Sequence, residues 1–88
     1  MKAKLLSHDI PEYNLEVEIE NEGEIYLVNV HYDNYDGYEV TFTDQIGNKI
    51  PKPQWATDLE ENSYDSLGYL IETSIPGWFR WVEEVSAQ

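Results

Sequence analysis

The sequence predicts an α+β fold: a three- to four-stranded antiparallel meander with one or two C-terminal helices packed on one face. Three observations carry this. Residues 13–20 alternate strictly, with Tyr13, Leu15, Val17 and Ile19 on one side and Asn14, Glu16, Glu18 and Glu20 on the other. Two further runs rich in Val, Ile, Tyr, Phe and Thr flank the turn-forming cluster Asp33-Asn34-Tyr35-Asp36-Gly37. After Pro51 and Pro53 the period changes from two to that of a helix.

Taken in order, Leu5 and Leu6 either begin a short edge strand or pack over the sheet, and Pro11 breaks that segment and holds Ile10 extended. The first predicted strand, about 13–20, ends at Asn21-Glu22-Gly23, where Gly23 is free to take positive φ. The second, about 24–32, is the most apolar and belongs in the centre. It carries Tyr26, Val28, Val30 and Tyr32 on one face, but also Ile25 and Leu27 on the other. That second face therefore calls for cover, from the Leu5-Leu6 segment or from a partner. The third strand, about 38–44, aligns Tyr38, Val40 and Phe42 with the inner face. Residues 46–49 suggest another turn, with Ile50 as a short return. The Pro-containing stretch 49–54 is a linker inside one domain spanning 1–88, not a boundary.

The helical half is expected at 57–86. Thr57-Asp58-Leu59-Glu60 fits a capping box with Thr57 as N-cap, and Ser63 to Ser66 offer a second start. Tyr64, Leu67, Leu70 and Ile71 then follow helical spacing, interrupted by Gly68, which costs about 1 kcal/mol relative to Ala. Trp78, Trp81, Val82 and Val85 form an apolar stripe at i, i+3, i+4 and i+7. The alternative, a strand with Phe79, Trp81 and Val85 on one face, includes Glu83 and is less clean. The helix is the preferred reading, with its aromatic rings in the core.

Eighteen acidic residues against five basic ones leave a net charge of −13. Seven carboxylates and no Lys or Arg fall between Asp9 and Glu24, and a second basic-free stretch holds Asp58, Glu60, Glu61, Asp65 and Glu72. Such a balance disfavours binding nucleic acid or an anionic membrane directly and favours basic proteins. There is no Cys, hence no disulfide framework and no thiolate site. No run reaches the roughly 20 apolar residues of a membrane helix, and the start MKAKLL lacks a signal-peptide core, so the expected location is cytoplasmic.

The charge also defines the candidate site. Glu16, Glu18 and Glu20 would form a straight row about 6.6 Å apart along one strand, continued by Glu22 in the turn. Asp33, Asp36 and Glu39 add carboxylates around the next turn. A regular line of anions is what a DNA-binding protein meets with Lys and Arg. The plain alternative is a solvated strand face that deters edge-to-edge association. Asp33, Asp36 and Glu39 do not make a calcium loop, because Tyr35 and Gly37 stand where acids are needed. His31 beside Asn29 and Asp33 marks out no nucleophile, and two His do not build a His-rich metal site. No enzyme, cofactor or metal is expected.

In size and acidity the chain resembles the small DNA-mimic inhibitors of phages and mobile elements: anti-restriction proteins, anti-CRISPR proteins and uracil-DNA glycosylase inhibitors. The likeness covers composition and a predicted acidic sheet, with no shared motif. It implies a non-enzymatic inhibitor that occupies the basic surface of a nucleic-acid-binding protein. The alternative expectation is a small acidic adaptor or accessory subunit of a larger assembly.

Overall fold

The computed structural model describes residues 1–9 and 12–86. Ile10 and Pro11, where the sequence predicts a break, lie outside them. Four antiparallel strands, β1 (Lys2–Asp9), β2 (Asn14–Asn21), β3 (Glu24–Asp33) and β4 (Gly37–Thr43), pair in the order β1-β2-β3-β4. Three helices follow: α1 (Gln54–Asn62), α2 (Leu67–Thr73) and α3 (Trp78–Ser86). The α+β meander with helices on one face is therefore as predicted, with three helices where one or two were expected.

The turns set the register. Glu22 and Gly23 both take positive φ, 53° and 82°, between the paired residues Asn21 and Glu24. This is the backbone of a type I′ hairpin, whose twist matches that of the strands. At the other end, the Asp33 side chain accepts from the Tyr35 N–H at 2.7 Å, and Gly37 (φ 78°) returns the chain into β4. After β4, Asp44 accepts from the N–H groups of Ile46 and Asn48, and the Ile50 N–H donates to Phe42 at 2.9 Å. The expected turn and short return are thus present.

The inner face of the sheet buries Leu15, Val17 and Ile19 from β2, Val28 and Val30 from β3, and Phe42 from β4. The helical layer meets these with Ala56 of α1, Leu67 and Ile71 of α2, and Ile75 from the α2–α3 connection. Each of the larger aliphatic or aromatic side chains contributes about 1.5–3 kcal/mol by burial.

Helix starts differ from the capping-box expectation. α1 begins at Gln54 with Pro53 in the cap position, and Thr57 lies inside the helix. Proline's fixed φ suits a helix start, and its missing N–H is not needed there. The earlier start brings Trp55 into the helix, where its ring packs edge-on against Tyr26 and Phe42 at 5.5 and 5.8 Å. Burying a large ring outweighs one capping hydrogen bond. α2 is capped by Ser66, whose side chain accepts from the Tyr69 N–H. Tyr64 lies before this cap and is fully exposed, so it is not part of the buried stripe.

Gly68 has a positive reason to be in α2. An added Cβ would stand 2.6 Å from Cβ and Cγ of Tyr38, so only glycine lets the helix approach β4 this closely. α3 is a helix, as its periodicity predicts, but its stripe is only half-buried. Trp81 packs edge-on to His8 of β1 at 5.3 Å, while Phe79 is 71% exposed. The aromatic residues of α3 therefore flank the core, and Phe79 is outside it.

Candidate functional site

The helices cover one side of the sheet and leave the other open. Antiparallel pairing places side chains directly opposite one another on the same face. Reading across the strands, the open face carries Lys2, Glu20 and Ile25 in one row and Lys4, Glu18, Leu27 and Thr43 in the next. Ser7, Glu16, Asn29 and Thr41 form a third row, and Asp9, Asn14, His31 and Glu39 a fourth.

The row Glu16, Glu18 and Glu20 thus runs down the open face, on a central strand. Lys2 and Lys4 stand opposite two of its members, a juxtaposition invisible in the linear pattern because pairing joins residues up to 18 positions apart. No ion pair closes there among the described residues. The ion pairs present are in the helical layer and its approach: Lys52–Glu60 at 2.8 Å and Arg80–Glu84 at 3.4 Å. The two lysines still lower the local repulsion of Glu18 and Glu20 through space. Glu16 is different, since its cross-strand neighbours are Ser7 and Asn29 and neither carries charge.

The remaining predicted site residues divide between the two ends of the sheet. Glu22 sits at the β2–β3 hairpin, held by its positive φ. Asp33, Asp36 and Glu39 lie at the opposite end, around the β3–β4 turn, with Glu39 on the open face across from His31. The seven therefore extend along the whole sheet and do not converge on one point. His31 pairs with Asn14, Nδ1 to Oδ1 at 3.0 Å, and no carboxylate orients it among the described residues.

The open face is not purely acidic. Ile25 is 61% and Leu6 48% exposed, and Leu27 is half-buried between them. The sequence predicts cover for this apolar side, but the Leu5-Leu6 segment does not supply it. It is instead part of the edge strand β1, in the plane of the sheet. Nothing among the described residues covers Ile25.

One carboxylate escapes the acidic-surface reading altogether. Glu72, grouped in the sequence with the second basic-free acidic stretch, is 0% exposed, on the buried side of α2. The Tyr38 hydroxyl donates to its Oε2 at 3.0 Å, while Oε1 is buried without a hydrogen-bond partner. Burial raises the pKa of Glu72, and the neighbouring tyrosine hydroxyls oppose that rise only in part. The hydroxyls of Tyr13 and Tyr38 are likewise raised, by burial first and then by the nearby carboxylate. The signal for this lies in the helical spacing: Gly68, Ile71, Glu72 and Ile75 fall at i, i+3, i+4 and i+7.

Among the described residues, no cluster of three or more His, Asp or Glu is arranged to hold a metal ion, and no helix is long and apolar enough to cross a membrane. Comparison with protein-family models, curated proteins and solved structures finds no match to this chain. What the arrangement can do chemically is present a broad acidic face with aliphatic contacts, supported by a rigid sheet.

Proposed function

We propose that this protein is a non-enzymatic acidic binding protein that occupies the basic surface of a nucleic-acid-binding protein and blocks it. The observation that carries the reading is the open face of the sheet, where Glu16, Glu18, Glu20 and Glu39 are held on rigid strands and no helix covers them. Backbone already held in paired strands has little freedom left to lose on binding, unlike that of a flexible acidic tail. The net charge of −13 steers a basic partner towards the complex, chiefly by raising the association rate. Glu22 at one end of the sheet, and Asp33 and Asp36 at the other, lengthen the acidic track.

A second reading, an acidic adaptor of a larger assembly, is favoured by a separate observation: the exposed Leu6 and Ile25 on the same face. Apolar anchors of this kind sustain binding in high salt, whereas charge imitation does not. The deciding experiment captures the partner on immobilised protein at about 50 mM salt, then challenges the complex with duplex DNA and with salt. The inhibitor reading expects release by both. Retention in about 1 M salt with no competition by DNA would replace it with the adaptor.

A further inference from the structure

β1 contains one more residue than its pairing with β2 requires. Leu5 opposes Val17 and Ser7 opposes Glu16, so Leu6 is a β-bulge. The extra residue has two effects. It brings His8 opposite Leu15 and onto the helical side, where the ring meets Trp81. It also leaves Leu6 on the open face, beside Glu16. There Leu6, Leu27, Asn29 and Thr43 line a groove of about 330 Å³, with Glu16 and Asp44 also along it. Asp44 Oδ1 is occupied by the turn, and its charge adds to that of Glu16. Glu16 is the member of the acidic row that no lysine faces.

An aliphatic groove bordered by an uncompensated carboxylate matches one kind of side chain. Arginine has a methylene stem to lie on Leu6 and Leu27, and a planar fork able to bind a carboxylate through two parallel hydrogen bonds. Its guanidinium is also less strongly hydrated than an ammonium, so a half-apolar setting penalises it less than lysine. We propose that this groove receives an arginine side chain of the basic partner, with Glu16 as its acceptor. The proposal rests on the reading of the open face as the binding surface, and it makes Glu16 the specific contact within a generally attractive field.

The test uses the full chain, labelled with ¹⁵N, and two synthetic nonapeptides of equal charge. One carries arginine and the other lysine at alternate positions, with serine between. At about 50 mM salt the arginine peptide should first move the amide signals of Leu6, Glu16, Leu27 and Thr43, and bind several-fold tighter than the lysine peptide. Glu16→Gln should weaken it about tenfold, the loss of one charge-assisted contact. Glu18→Gln removes the same charge from a carboxylate already faced by Lys4, and should weaken it less than about twofold. Equal losses in the two variants, or equal affinity for the two peptides, would overturn the groove while leaving a general basic-partner reading intact. No binding of either peptide at low salt would remove both.

Discussion

The buried carboxyl of Glu72 offers the sharpest test of how the helices are held on the sheet. Its pKa is raised above the ordinary 4.5, with burial as the main cause. A carboxyl raised in the folded state favours folding most when it is protonated in both states, below the unfolded pKa. That contribution is lost as pH rises through the folded pKa, and each tenfold difference in proton affinity between the two states is worth about 1.4 kcal/mol. Acidification from pH 7 towards 5 should therefore stabilise the protein. Glu72→Gln keeps the shape and an acceptor for the Tyr38 hydroxyl, but holds no charge. It should be more stable than the wild type at pH 7 and lose much of the pH dependence. Urea unfolding at pH 5 and pH 7 in about 0.5 M salt measures this, the salt suppressing the surface carboxylates. A variant destabilised at pH 7 by about 1 kcal/mol, with the wild-type pH slope retained, would show that Glu72 is held as a satisfied, ionised group.

Three further outcomes follow from the packing and the charge. Gly68→Ala should cost about 1–3 kcal/mol despite alanine's better helix propensity, because its Cβ meets the Tyr38 ring at 2.6 Å; a neutral or stabilising result in urea unfolding would mean that α2 is free to move off β4. Trp81→Ala should cost about 2–3 kcal/mol, less than for a fully buried ring, since Trp81 is half-buried against β1; a loss of about 5 kcal/mol or complete unfolding would place α3 in the core after all. Melting temperature at pH 7 should rise with salt, because a net charge of −13 repels itself, and a flat response would argue that the carboxylates are already compensated.

Much of the sheet is legible in the sequence because its signals are local. The strict alternation of residues 13–20 and the Asn21-Glu22-Gly23 turn specify a strand and its hairpin without reference to the rest of the chain. β1 is harder, because Leu5 and Leu6 are adjacent and break the period of two. Only the bulge reconciles them, sending Leu5 inward and Leu6 outward. The start of α1 escapes local reading because a capping box competes with the distant gain of packing Trp55 on Tyr26 and Phe42. The candidate site divides in the same way. That Glu16, Glu18 and Glu20 share a face follows from alternation, whereas the opposition of Lys2 and Lys4 depends on strand order and register. The glutamates therefore look equivalent in sequence and are not equivalent in the fold.

Whether the open sheet face, and not acidity in general, engages the partner can be decided with two triple variants that carry the same change in charge. Glu16→Gln, Glu18→Gln and Glu20→Gln alter the open face, while Glu61→Gln, Asp65→Asn and Glu83→Gln alter exposed positions of the helical layer. The measurement is the association rate of each with the captured partner at about 50 mM salt. Engagement through the open face predicts a slowing of about tenfold for the sheet variant and less than about threefold for the helical one. Equal slowing, or a larger effect from the helical layer, would contradict it.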